Sequence, residues 1–468
     1  MRKIVPAAAL ALLAGCNLAP PHERPALPTA GEYPAESAGG LAPGQRATEI
    51  GWRAFFADPQ LEVLIGQALQ RNRDLAVAVA QIEEARGQYR IQRADQLPTL
   101  ATTGDATRSR TPLAAAGIPG ATGSITQTRY SVGVGVTGFE LDFWGRVRNL
   151  SEAARRQYLA TVEAERAFRL SLVRDVASTY LALREASERI ALAEATVQSR
   201  QEGLRIAKRR LDAGVTSALD YRQSETLLTQ AETELAALRL TRSQSENFLG
   251  VLTGGPVPAP LPEALPLAQQ TQSPVLAAGL PSDLLVARPD IVAAEERLRA
   301  ARANIGAARA AFFPSISLTG SLGFASVDLG NLLGSDHLSW SFGPSIKLPI
   351  FDFGRNKGNL TVAEARENIA IATYERTVQG AFREVADALA GRRYLAEQVA
   401  AQERGTLATR RIADLARTRY REGVAGYLEV LDAERNLFAA EQALMQIRRA
   451  QADNLVTLYV ALGGGLIE

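Results

Sequence analysis

Hydrophobic positions along the 468-residue chain follow two rhythms, and each rhythm is written twice. From 338 to 351, LSWSFGPSIKLPIF sets Trp340, Phe342, Ile346, Leu348 and Ile350 against Ser339, Ser341, Ser345 and Lys347, the period-two pattern of a strand with one apolar face. From 315 to 324, SISLTGSLGF sets Ile316, Leu318, Leu322 and Phe324 against Ser, Thr and Gly, with GSDH in the turn region between the two segments. TLATTGDATR (99 to 108) and RYSVGVGVTGFEL (129 to 141), with Val132, Val134 and Val136 on one side, repeat the arrangement more weakly. Two hairpins, hence four long strands, are expected. A small soluble sheet is the plain alternative reading of the alternation.

The remainder follows a helical period. Residues 146 to 212 contain no proline and a single glycine, Gly203, while Val176, Leu183, Ile190, Val197, Leu204 and Leu211 hold a seven-residue line that predicts coiled-coil packing. Residues 355 to 422 predict a second long helix with a fainter seam of Val378, Phe382, Val385 and Leu389. Both segments end in Gly-Val, Gly214-Val215 and Gly423-Val424, with glycine where a helix C-terminus takes a left-handed residue. Shorter helices are expected over 59 to 97, 218 to 252, 284 to 313 and 427 to 462, the first and third stopped by Pro98 and Pro314.

The doubling extends to the letters. LDFWGRVRN (141 to 149) is echoed by FDFGRNKGN (351 to 359), and LDAGVTSALDYRQSETLL (211 to 228) by YREGVAGYLEVLDAERNLF (420 to 438). Gly214 maps onto Gly423 and Glu225 onto Glu434, each 209 positions on. The chain is a tandem duplication, with repeat one at 55–255, repeat two at 284–468, a proline-rich linker at 256–283 and an N-terminal extension at 16–54. Asp142 and Asp352 stand where they would cap the two long helices.

Composition narrows the function. One cysteine and two histidines exclude a disulfide framework and a Cys/His metal site. The balance of 52 basic against 50 acidic residues carries no footprint of nucleic-acid binding. Carboxylates spread along helical faces without a His or Cys cluster argue against an enzyme. The start, MRKIVPAAALALLAGC, has basic Arg2 and Lys3, an apolar stretch from Ile4 to Leu13, and a small-residue cleavage context ending in the only cysteine, Cys16. It resembles a bacterial lipoprotein signal (1–15), which implies a diacylglycerol and a fatty acyl chain such as palmitate on Cys16 and no other cofactor. An ordinary secretory signal with an incidental cysteine is the plain alternative. Asn17 in place of aspartate implies passage to the outer membrane. No later window offers the roughly 18 to 20 apolar residues of a membrane helix, so any crossing uses strands. Four strands leave two open edges that lipid cannot satisfy, so several copies must join.

FFADPQLEVLIGQAL (55 to 69), the DFWGR and DFGR corners, GLPSDLLVARPDI (279 to 291), FFPSISLTGSLG (312 to 323), GVAGYLEVLDAERNLF (423 to 438) and the terminal ALGGG (461 to 465) together resemble the TolC/OprM-type outer-membrane efflux channels, in their NodT-like lipoprotein branch. The resemblance covers essentially the whole chain. It implies a mostly α fold with a transmembrane β-barrel: a homotrimer with a twelve-stranded barrel and a coiled-coil α-helical periplasmic tunnel. It also implies outer-membrane lipid around the barrel, a periplasmic adaptor, and an inner-membrane pump of the resistance-nodulation-division type. The expected function is a passive duct for small molecules such as drugs, with metal efflux or type I peptide and protein secretion as the alternative. One departure is Ala287-Arg288-Pro289-Asp290, where the family often has a second arginine.

Leu428, Asp432 and Arg435 are spaced to share one helix face, which by itself also reads as a solvated face with an i,i+3 ion pair. By the resemblance they form the periplasmic constriction, stacking in threefold rings with the acidic ring from Asp432. Asp220 and Tyr420 match family positions that latch neighbouring helix pairs shut, through a tyrosine-to-carboxylate bond. Taken alone, Asp220 is an acid favoured by a helix N-terminus. The family's basic latch residue falls at Ala425, so that contact is expected to be missing.

Overall fold

Proline and glycine placement sets the elements. A computed structural model describes residues 17–26, 28–30, 33, 44–113, 122–257, 260–271, 274–277 and 283–468. Cys16, the expected lipidation site, lies outside the described residues. The element order is α1 (Trp52–Phe55), α2 (Pro59–Arg71), α3 (Arg73–Ala94), β1 (Leu100–Pro112), β2 (Ser124–Glu140), α4 (Arg146–Asp212), α5 (Ala218–Leu252), α6 (Leu284–Ala287), α7 (Pro289–Ala310), β3 (Ser315–Ser326), β4 (Leu338–Lys347), α8 (Arg355–Arg421) and α9 (Tyr427–Ala461). The two long helices have 67 residues each, and the helix that returns from each has 35.

Two compact units cut across the repeats. Among the described residues, one comprises those of 1–25, 82–161 and 294–374, and the other those of 26–81, 162–293 and 375–468.

The first unit holds the sheet, antiparallel in the order β1-β2-β3-β4. Its register aligns apolar residues across strands: Val134 pairs Leu322, which pairs Trp340, and Ile316 pairs Ile346. The alternate positions bring Ser321 opposite Ser341, with their hydroxyls 2.8 Å apart. Trp340 is 73% exposed and Ile346 71%, so this chain does not cover its own apolar face. β1 and β4 form the two open edges. β4 ends at Lys347, earlier than the alternation to Ile350 suggests, because Pro349 cannot donate to a ladder. At the strand-to-helix corners the Asp142 carboxylate accepts from Arg148 N–H at 2.7 Å, and that of Asp352 from Asn356 N–H at 2.9 Å, so both aspartates cap their long helices. Trp144 stacks on Phe313 and donates to the Pro314 carbonyl, tying the first corner to the start of β3.

In the same unit a stretch of the N-terminal extension is clasped to α7. The Glu295 side chain, 6% exposed, accepts from His22 at 3.0 Å, Arg24 at 2.9 Å and Arg299 at 2.7 Å. Burial pushes the Glu295 carboxyl up, but the bonds to His22 and Arg24 and the charges of Arg299 and Arg24 outweigh it and hold its pKa below the ordinary value. A depressed carboxyl pKa gives stability that is complete above the ordinary glutamate range, about 4.3, and is lost as pH falls through the folded value. Pepsin at acid pH should therefore cut within residues 17–25, while a protease of neutral optimum should leave them intact. Equal protection at both pH values would count against the clasp.

The second unit is helical. No helix among the described residues is long and apolar enough to cross a membrane. Ile190 and Ala193 of α4 pack on Leu235 and Leu238 of α5, and Phe438 of α9 closes that cluster. The seam drawn at Leu204 and Leu211 is only half-buried; fuller burial falls on Ala193, Arg200 and Ala207. Small residues let the helices approach, and Arg200 lays its guanidinium 5.1 Å from the Phe438 ring centroid while donating to the Leu227 carbonyl. The fainter seam of α8 is also buried at Val378, Val385 and Leu389, with Phe382 stacked on Tyr33 of the extension.

The helix expected over 59 to 97 is two helices. Asn72 divides them: its amide donates to the Leu252 carbonyl and its side-chain oxygen accepts from Leu75 N–H, so it closes α2 and opens α3. The segment expected over 284 to 313 divides likewise before Pro289, whose ring cannot continue α6. Part of the 16–54 extension belongs to the core: Trp52 is 1% exposed and its backbone N–H bonds to the Ile467 carbonyl, next to Phe55 at the start of repeat one, which is equally buried and stacks on Tyr459.

Candidate functional site at the helical turns

Both long helices end in the same backbone geometry. Gly214 and Gly423 have φ of 71° and 74°, left-handed values that glycine adopts without strain. The N–H of Val215 returns to the Arg210 carbonyl at 2.9 Å, and that of Val424 to the Arg419 carbonyl at 3.0 Å, satisfying orphan carbonyls at the helix ends.

Side chains then distinguish the repeats. In repeat two, Arg419 pairs with Glu429 at 3.3 Å across its own turn. The equivalent arginine of repeat one, Arg210, leaves its own turn: it donates to the Tyr420 hydroxyl and lies 5.3 Å from that ring's centroid. Asp220 accepts from the Thr216 hydroxyl at 2.7 Å, and its N–H is capped by Ser217 at 3.2 Å. Its carboxyl is held below the ordinary range, first by the Thr216 bond and also by Ser217 and the Arg210 charge, against a smaller opposing effect of burial. The structure thus brings Tyr420, Arg210 and Asp220 to one place, but within the chain Tyr420 bonds to Arg210 and not to Asp220. Ala425 occupies the position equivalent to Thr216 and offers no polar contact.

Leu428, Asp432 and Arg435 all lie on the exposed face of α9, with Leu428 48% exposed. The opposite face, Val430 and Ala433, is buried against Ala413 and Ala416 of α8. Asp432 and Arg435 pair at 3.1 Å with both side chains about half exposed. Such pairs contribute roughly 0.2 to 0.5 kcal/mol, so this one sets local charge more than stability. The equivalent residues of repeat one are Leu219, Gln223 and Thr226, so the acid and base at these positions belong to repeat two alone.

Three contributors are given no role by the sequence pattern: Arg210, Tyr427 and Gly203. Arg210 reads as one more charge on a basic helix end. Tyr427 reads as one more aromatic beside a turn, yet its ring lies 5.1 Å from that of Tyr420. A lone glycine inside a long helix, which costs about 1 kcal/mol relative to alanine, was the available signal.

A sheet with one uncovered apolar face and two open edges, joined to long paired helices that end in capped turns, defines a membrane channel subunit whose strands close into a barrel between copies. The two repeats are also the segments matched by the model of the outer membrane efflux protein family, at residues 64–255 and 280–464, and the chain belongs to that family. The solvent efflux pump outer membrane protein SrpC of Pseudomonas putida is 44% identical over 468 residues, covering 99% of this chain and 98% of the relative. The cation efflux system protein CusC of Escherichia coli is 40% identical over 464 residues, with 99% of both chains covered. Among solved structures, the open state of the Neisseria gonorrhoeae MtrE outer membrane channel has a TM-score of 0.86 and 41% identity, covering 96% of this chain and 99% of that one. The chain is thus an outer-membrane efflux channel, a homotrimer that works with a periplasmic adaptor and an inner-membrane pump.

Proposed function

We propose that the chain is a passive duct for small organic molecules delivered by a pump of the resistance-nodulation-division type. Its periplasmic constriction is built from Leu428, Asp432 and Arg435, and its latch from Tyr420, Arg210 and Asp220. The observation that carries this reading is the exposed face of α9, which leaves Leu428, Asp432 and Arg435 uncovered beside a buried alanine and valine seam, at positions that are uncharged in repeat one. Selection among cargoes belongs to the pump, so no substrate-binding residue is assigned to the duct. Expression in a strain that lacks its own outer-membrane duct, together with a cognate adaptor and pump, should restore resistance to organic solvents and lipophilic drugs. Restored tolerance to metal cations alone would favour the second reading, metal efflux, which rests on the 40% identity to a cation efflux protein.

The anchor is a diacylglycerol and fatty acyl chain on Cys16, supported by the basic start and small-residue cleavage context before it. Metabolic labelling with a radioactive fatty acid should mark the wild-type protein and fail to mark Cys16→Ser. Label on the serine variant would end the lipoprotein assignment. Barrel insertion should survive the change, because the apolar face of the sheet supplies its own affinity for lipid.

A further inference from the structure

The two repeats diverge at a pair of positions that meet in space. Position 203 of α4 is glycine, whereas its repeat-two counterpart 209 residues on is Ile412. Tyr427 opens α9, whereas Ala218 opens α5. In the fold these two odd residues face one another: a Cβ built on Gly203 would lie 2.9 Å from the Tyr427 hydroxyl oxygen and within 4 Å of no other neighbouring atom. The phenol reaches out of the α8–α9 pair toward the α4–α5 pair. Ser224 of α5 is within reach of the same hydroxyl, and the ring packs on the seam of Ala413, Ala416, Val430 and Ala433. Gly426, just before α9, offers no side-chain cap, so the first turn is held by the Arg419–Glu429 pair and by the packing of Tyr427. Gly203 costs helix stability, and the space it leaves is filled by that hydroxyl.

We propose that Tyr427 seated on Gly203 is a pin that fixes the start of α9 against α4. Leu428 follows Tyr427 directly, and Asp432 lies little more than one turn beyond. Tyr427 is therefore a positioning residue for the constriction, and this function of the pin rests on the constriction proposed above. Beside the turns it adds a steric contact between the helix pairs to the polar one of Arg210 with Tyr420.

The test uses size-matched replacement in purified trimers carrying Cys16→Ser and spin labels on cysteines at Val215 and Val424, both exposed at their turns. Gly203→Ala places a methyl carbon 2.9 Å from the hydroxyl oxygen, closer than the two atoms can pack, while its higher helix propensity keeps α4 folded. It should lengthen the 215-to-424 distance and raise single-channel conductance several-fold. Tyr427→Phe removes the colliding oxygen, so Gly203→Ala with Tyr427→Phe should return both readings to the wild-type range. Gly203→Leu should lengthen the distance further and be rescued by Tyr427→Ala but not by Tyr427→Phe. An unchanged distance in Gly203→Ala and Gly203→Leu, or an absence of rescue in the matched pairs, overturns the pin. Distances that shift and are rescued while conductance stays constant uphold the pin and overturn the constriction reading.

Discussion

Tyr420→Phe combined with Asp220→Ala is expected to raise single-channel conductance and to sensitise cells to large antibiotics that the outer membrane normally excludes. The Tyr420 hydroxyl accepts from Arg210, a charge-assisted contact of the kind that contributes roughly 1.5 to 3 kcal/mol. Phenylalanine keeps the ring beneath the guanidinium and hence the cation–π attraction, about 0.5 to 1 kcal/mol at an exposed site, so the hydroxyl bond alone is lost. Asp220→Ala removes the carboxylate whose pKa is lowered first by the Thr216 bond, then by Ser217, and also by the nearby Arg210 charge. With three copies of the contact in a trimer, the closed state should lose several kcal/mol in total. Arg210→Ala, which removes bond and stacking together, should open the channel at least as far. Planar-bilayer recordings of the purified variants measure this directly. Wild-type conductance in all of them would show that the gate lies elsewhere.

Asp58→Ala should give the largest loss of stability. Asp58 is 1% exposed and accepts four hydrogen bonds: from Gln60 N–H at 2.9 Å, the Tyr180 hydroxyl at 2.7 Å, the Gln270 amide at 2.5 Å and Leu265 N–H at 3.1 Å. It thereby caps α2, holds the linker at Leu265 and Gln270, and anchors both to α4 through Tyr180. Burial, then the Asp58 bond and charge, push the Tyr180 phenol well above its ordinary pKa, as expected of a donor locked to a carboxylate. Alanine leaves several buried donors without an acceptor, each costing about 1 to 3 kcal/mol, and an overall loss of roughly 3 to 5 kcal/mol is expected. Tyr180→Phe removes one donor together with its bond and should cost only about 1 kcal/mol. Thermal melts followed by circular dichroism in detergent compare the two. An Asp58→Ala melt indistinguishable from that of Tyr180→Phe would refute the central role of the carboxylate.

The parts of this fold that are legible in the sequence are those set by local punctuation. Gly214 and Gly423 end the long helices because a left-handed residue is needed there, and Asp142 and Asp352 open them because a carboxylate can take the first free N–H groups. β3 and β4 announce themselves through strict alternation of large apolar residues. β1, with Thr, Gly, Asp and Arg along it, does so only weakly and runs to Pro112, past the expected end at 108. What could not be read is contact between segments distant in the chain. The break at Asn72 depends on the Leu252 carbonyl 180 positions away, and the burial of Trp52 depends on Ile467 near the other end of the sequence. The exposed face of Leu428, Asp432 and Arg435 was legible because helical spacing defines it. The Arg210 contact to Tyr420 was not, since an arginine near a helix C-terminus has a sufficient local reason to be there.

The structure also sharpens what a charge ring at the constriction would do. Asp432 does not stand alone but pairs with Arg435 at 3.1 Å, so threefold symmetry would place three ion pairs of no net charge at that level, in place of the purely acidic ring expected from Asp432. Asp432→Ala leaves three arginines and Arg435→Ala leaves three aspartates. Rings of opposite sign select opposite ions. The most direct test of the duct and its constriction is the reversal potential of single channels in a planar bilayer under a salt gradient. The account predicts displacement toward anion selectivity in Asp432→Ala and toward cation selectivity in Arg435→Ala, on either side of the wild-type value. Identical reversal potentials in all three proteins would contradict it and return these residues to an ordinary solvated helix face.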